Sequence, residues 1–105
     1  MSKNILHRLG YVVVLFNTPE GDVEIERYNL ITERIVLKAF TYYETARIVF
    51  IDANLHPEDR LYLLLHELGH IALGHLEGNK ILNKSKYLLD IEADAFAYSI
   101  IRRRR

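Results

Sequence analysis

Apolar residues follow two different periods along this chain, and the change falls near Asn54. Upstream of it the pattern is that of strands. Tyr11 to Phe16 is an unbroken apolar run of the length of a buried strand. Pro19-Glu20-Gly21-Asp22 has the residue types of a turn. After it, Val23, Ile25 and Tyr28 stand against Asp22, Glu24 and Glu26, the alternation of a half-buried strand. Arg34 to Tyr43 and Arg47 to Asp52 are two more strand candidates, with Tyr42-Tyr43-Glu44-Thr45 turning between them. Ser2 to Leu9 reads as a short helix closed by Gly10.

Downstream of Asn54 the period becomes helical. Pro57 suits a first helical position, and Glu58 and Asp59 complement the positive end of a helix dipole. Leu61, Leu64, Leu65, Leu68, Ala72 and Leu76 recur at spacings of three and four, which predicts a helix ending near Gly78. A polar connection from Asn79 to Lys86 leads to a second helix from about Tyr87 to Arg102, with Leu88, Ile91, Ala95, Tyr98 and Ile101 as apolar positions. Strands first and helices after predict an α+β fold. The expected architecture is a small mixed or antiparallel sheet of three to four strands followed by two helices.

Composition narrows the function classes. The 105 residues suit a single domain, 1–105, and half of them are apolar, enough for a small core. Fourteen basic residues balance fourteen acidic ones, so no bulk charge favours a nucleic-acid or membrane partner. Without cysteine there is no disulfide, no thiolate ligand and no thiol nucleophile; a metal would be held by His, Asp or Glu. The first residues carry no apolar stretch of signal-peptide length, and no run approaches a membrane span. A soluble cytoplasmic protein is the resulting expectation.

The candidate chemistry sits in the first of the two helices, at His66-Glu67-Leu68-Gly69-His70. Residues four apart differ by about 40° around a helix, so both imidazoles lie on one side and can reach one metal ion. Glu67 lies beside them, where it can reach a water on that ion rather than serve as a third ligand. This is the content of the HExxH pattern: two neutral imidazoles hold Zn²⁺ and the carboxylate takes a proton from water. Two histidines and a glutamate among Leu63, Leu64, Leu65, Leu68 and Ile71 would be costly to bury without a task.

A catalytic zinc site needs a third protein ligand. His75 lies five residues after His70, whereas a three-histidine pattern would need a histidine at the position held by Leu76; His75 reads as a helix C-terminal residue favoured by the dipole. The second helix offers Asp90, Glu92 and Asp94. Asp90 and Asp94 share a face, while Glu92 points about 200° away from Asp90. An acidic pair among Leu89, Ile91, Ala93, Phe96 and Ala97 suits one ligand and one carboxylate that orients a ligand histidine.

Leu64 to His75, followed by Asp90-Ile91-Glu92-Ala93-Asp94-Ala95-Phe96-Ala97, resembles the ImmA/IrrE family of metallopeptidases, and more widely the gluzincins, over residues 48 to 101. The resemblance implies a minimal zincin fold, with His66 and His70 as zinc ligands and Glu67 as general base. By position it implies Asp90 as the third ligand, where the family has Glu, with Glu92 as the alternative and Asp94 as an orienting carboxylate behind the ligands. It also implies a protein substrate, since stand-alone relatives are linked to cleavage of repressor proteins. In zincins a strand beside the catalytic helix binds the substrate backbone, a role that falls here on residues 47–52. Tyr62, Tyr87, Tyr98 and His75 are candidates for stabilising the oxyanion. A second reading is a non-catalytic, zinc-stabilised binding module, an antirepressor or adaptor. Arg102 to Arg105 reads as a solvated helix end, and His7 and His56 as surface or helix-start residues.

Overall fold

The computed structural model describes residues 8–76 and 85–103. Along the chain it forms β1 (Val12–Phe16), α1 (Pro19–Arg27), α2 (Ile31–Val36), β2 (Ala39–Tyr42), β3 (Ile48–Asp52), α3 (Pro57–Ala72) and α4 (Lys86–Arg103). The three strands make a mixed sheet in the order β1-β3-β2, with β1 parallel and β2 antiparallel to β3. The fold is α+β, as the order of apolar patterns predicts. The helix expected over Ser2 to Leu9 and the connection from Asn79 to Lys86 lie largely outside the described residues. No described helix is long and apolar enough to cross a membrane.

The central strand explains the layering. All five residues of β3 are buried, because helices cover both faces of the sheet. Ile48 and Phe50 point into one cluster with Phe16, Ile25, Leu30 and Phe40, on the side of α1. Val49 and Ile51 point the other way, against Leu64, Leu65 and Leu68 of α3 and Ala97 of α4.

Two expectations fail in the segment between β1 and β2. Pro19 to Asp22 is not a turn, and Val23, Ile25 and Tyr28 do not form a strand. The Thr18 side chain accepts from the Gly21 amide at 3.0 Å, Pro19 opens the helix, and Glu20 and Asp22 lie in its first turn. That start signal outweighs a short alternation of apolar residues. Gly21 serves a close approach rather than a turn: a Cβ there would stand 1.8 Å from the Leu15 carbonyl oxygen. Gly21→Ala must therefore push α1 off the end of β1. It is expected to cost about 2–3 kcal/mol of stability, read as a lowered urea midpoint.

The segment Arg34 to Tyr43 is likewise not one strand. Its first part belongs to α2, a short helix with no buried residue, which leaves Ile35 and Val36 exposed. Arg34 is tied instead to the end of β1, donating to Asn17 Oδ1 at 3.0 and 3.2 Å and pairing with Asp22 at 3.6 Å. Asn17 has φ 63°, the left-handed conformation that asparagine tolerates, and donates to buried Asp52 at 2.8 Å. Burial opposes ionisation of Asp52, but the Asn54 amide, Asn17 and Lys38 outweigh it and hold the carboxyl below its ordinary range.

α3 ends at Ala72, about one and a half turns before the expected Gly78. The terminating glycine is Gly74, at φ 74°. The Gly74 amide donates to the Ile71 carbonyl at 3.2 Å and the His75 amide to the His70 carbonyl at 2.9 Å. These are the two paired bonds of a Schellman ending, and they fold His75 back beneath the last turn. At the other end His56 caps α3, its Nδ1 accepting from the Glu58 amide at 3.4 Å, a helix-start role.

Candidate metal centre

The site forms where α3 and α4 cross. Gly69 makes the crossing close: a Cβ on it would lie 3.1 Å from the backbone of Ala93, itself fully buried. With the helices this near, an aspartate on α4 is long enough to reach α3. His66, His70 and Asp90 each present a ligand atom, all within 4.8 Å of one another.

The separations fit a small, nitrogen- and oxygen-binding cation. His66 Nε2 and His70 Nε2 are 3.0 Å apart, His70 Nε2 and Asp90 Oδ1 3.3 Å, and His66 Nε2 and Asp90 Oδ1 3.7 Å. Donors set tetrahedrally about 2.0–2.1 Å from one zinc ion stand about 3.3 Å apart. Behind His66, Asp94 Oδ1 lies 2.7 Å from Nδ1 and also accepts from the Tyr62 hydroxyl. An ionised carboxylate only accepts, so Nδ1 of a neutral His66 carries the proton and Nε2 presents its lone pair to the cluster. Burial and then Asp94 push the Tyr62 hydroxyl well above the ordinary phenol range, so it stays a donor.

Glu92 is not placed as a third ligand. It stands outside the cluster of His66, His70 and Asp90, and its Oε1 lies 2.8 Å from His75 Nε2. Nor is His75 only a dipole partner of the helix end. It is 4% exposed, and its Nδ1 meets His70 Nδ1 at 2.8 Å. Sequence pattern did not reveal this contact; its one signal is Gly74, which turns the following residue back towards His70.

Glu67 is buried beside the cluster, and its Oε2 accepts from the Thr41 hydroxyl at 3.3 Å. Burial raises its carboxyl above the ordinary range, opposed by His66 and Thr41. The pattern of residues did not point to Thr41, which comes from β2. A cleft of about 600 Å³ opens over the site, lined by Lys38, Ala39 and Thr41 on one side and Tyr62, Asp90 and Asp94 on the other. Tyr87 and Tyr98 are not among its walls; Tyr98 packs behind Tyr62 with ring centres 5.5 Å apart. At the end of α4, Arg102 and Arg103 are exposed.

Burial, then His66 and His75, lowers the His70 imidazole from 6.5 to about 4. Between these values the unfolded chain holds a proton on His70 that the folded chain does not. The metal-free protein therefore loses stability as pH falls from 6.5 to about 4, by a few kcal/mol at most (~3). Glu67, raised rather than lowered, contributes the opposite slope in wild type and variant alike. Urea titrations across this range should show a steeper acid-side loss in metal-free wild type than in metal-free His70→Gln; equal slopes would contradict the assignment.

A family model described as the IrrE N-terminal-like domain, of the peptidase class, matches residues 7–101. No curated protein and no solved structure matches the chain.

Proposed function

Because the chain belongs to the peptidase family of the IrrE N-terminal-like domain, we propose that it is a zinc-dependent endopeptidase acting on extended protein segments. The observation that carries this reading is the convergence of His66, His70 and Asp90 beside buried Glu67 in one cleft. His66, His70 and Asp90 would hold the ion. Zinc bound by these residues supplies Lewis acidity, making water acidic near neutral pH and polarising a carbonyl.

The remaining work falls to the chain's own groups. Glu67 takes a proton from the attacking water and delivers it to the amine leaving group. Its burial suits this task, because a carboxylate removed from water is more basic. Thr41 fixes one of its oxygens, so the other faces a defined direction. Asp94 and Tyr62 hold His66 in one tautomer and orientation.

The substrate edge is β2, not residues 47–52. β3 is bonded on both sides, to β1 and β2, and has no free edge. The Asp52 amide donates to the Lys38 carbonyl at 2.8 Å, which sets the phase of the ladder. Lys38, Phe40 and Tyr42 turn their backbone groups to β3, whereas Ala39 and Thr41 turn theirs to the opposite edge. Ala39 and Thr41 also line the cleft. A substrate strand added here would run past Glu67, gaining main-chain hydrogen bonds with little sequence preference.

Ala39→Pro tests this placement, since proline is tolerated where an edge amide faces away from the sheet. The zinc-loaded variant is expected to keep its melting temperature and zinc while losing about tenfold in kcat/KM, the loss of about one hydrogen bond. The assay is digestion of a peptide library read by mass spectrometry. Undiminished cleavage would remove β2 as the binding edge, and absence of chelator-sensitive cleavage by wild type would remove the peptidase reading itself.

A further inference from the structure

Both histidines of the cluster have a second ring nitrogen to satisfy, and the two are satisfied differently. His66 Nδ1 meets a carboxylate directly, at 2.7 Å from Asp94. His70 Nδ1 meets the ring of His75 at 2.8 Å, and that ring's far nitrogen meets Glu92 Oε1 at 2.8 Å. Thus a second imidazole stands between ligand and carboxylate.

We propose that Glu92 and His75 are positioning residues for His70, passing a fixed order of hydrogen bonds from α4 to the metal-facing nitrogen. The proposal rests on the metal site described above. The order follows from donor and acceptor chemistry. Glu92 as a carboxylate only accepts, so His75 Nε2 carries a proton and donates it. Neutral His75 then has a bare Nδ1, which accepts from Nδ1–H of His70. Neutral His70 in turn has its lone pair on Nε2, the atom 3.0 Å from His66 Nε2 and 3.3 Å from Asp90. A neutral imidazole of the opposite tautomer would present N–H to the cation and could not ligate it.

The backbone supports the same arrangement. The Schellman ending at Gly74 returns His75 to His70, so the ring contact is reinforced by the 2.9 Å bond from the His75 amide to the His70 carbonyl. Glu92 reaches the pair from α4, two residues from Asp90 and two from Asp94. The acidic residues of this helix thereby divide into three roles: Asp90 on the cluster, Asp94 behind His66, and Glu92 behind His70 through His75. Carboxylates placed in this way orient ligand imidazoles and raise their basicity, and their loss weakens metal binding by about 10–100-fold.

The test is zinc affinity of the full chain by chelator competition, for wild type, His75→Leu, His75→Asn and Glu92→Gln. His75→Leu is expected to bind about 10–100-fold more weakly than wild type. His75→Asn is expected to recover most of that loss, because its Oδ1 can stand where Nδ1 stood and accept from His70. A merely structural role would not favour asparagine over leucine at a buried position. Glu92→Gln should fall between wild type and His75→Leu. Nitrogen-15 spectra of zinc-loaded wild type give a reading independent of variant folding: His75 protonated at Nε2 and bare at Nδ1. Tight zinc binding by wild type with equally tight binding by His75→Leu would overturn this inference alone, as would a proton on His75 Nδ1. No zinc on wild type would overturn the metal site and the inference with it.

Discussion

Glu67→Gln is expected to lower peptide cleavage by about 10²–10⁴-fold while leaving zinc affinity nearly unchanged. Glutamine has the shape of glutamate and can still accept from Thr41 at Oε1 or its equivalent, so the packing around a residue only 8% exposed is preserved. What is lost is the capacity to take up a proton. In the proposed role the group acts on the reacting water rather than on substrate binding, so the loss should appear in kcat and not in KM. Parallel zinc titration matters here, since an apparent loss caused by an empty site would look the same in a cleavage assay. Substitution that kept cleavage would eliminate Glu67 as the base. If the protein instead has a cellular activity that survives Glu67→Gln, the adaptor reading, which requires grip without cutting, would replace the peptidase one.

Asp90→Asn should weaken zinc binding by about a hundredfold or more. Structural zinc sites of four protein ligands bind with about 10–16 kcal/mol, or about 3 kcal/mol for each ligand, and 1.4 kcal/mol corresponds to a factor of ten. Asparagine retains an oxygen but not its charge, and the carboxylate of Asp90 is the negative member of the cluster. The contrast with Glu92→Gln is informative because the two residues stand two positions apart on one helix yet face different partners. Asp90 lies 3.3 Å from His70 Nε2, on the inner side of that ring, and Glu92 reaches only its outer side through His75. Chelator competition should therefore rank Asp90→Asn well below Glu92→Gln. A reversed ranking would move the third ligand to Glu92 and require α4 to turn relative to α3.

The sequence reveals the two crossing helices and their polar residues because both carry long-range periodicity. Leu64, Leu65 and Leu68 mark the buried side of α3, and the four-residue spacings of His66/His70 and Asp90/Asp94 place each pair on one face. β3 was legible for a related reason: a continuous apolar run belongs to a strand covered on both faces. The run of β1 marks a strand too, but one at the edge of the sheet that is mostly half-buried, with Val12 exposed. The sequence was misleading where a local end signal competed with a weak alternation. Thr18 and Pro19 start a helix whose only fully buried side chain is Ile25, so its composition imitates a half-buried strand. α2 buries nothing and is held by Arg34 on Asn17, a contact 17 positions away that no periodicity records. Strand order was equally hidden. The zincin resemblance put the substrate strand at residues 47–52, directly before α3, yet β2 turns back to pair outside them and leaves β3 central. Thr41 was missed as a site residue, and His75, read as a dipole partner or an oxyanion candidate, was not read as the partner of His70, because one arrives through the sheet and the other through the backbone turn at Gly74.

The most direct test is zinc content by mass spectrometry of the purified chain after zinc supplementation, in wild type and His70→Ala. The central claim is that His66, His70 and Asp90 form one metal-binding cluster. It predicts about one zinc per wild-type chain and its loss in His70→Ala, by the removal of one of three ligands. Zinc absent from wild type, or retained undiminished by His70→Ala, would contradict it.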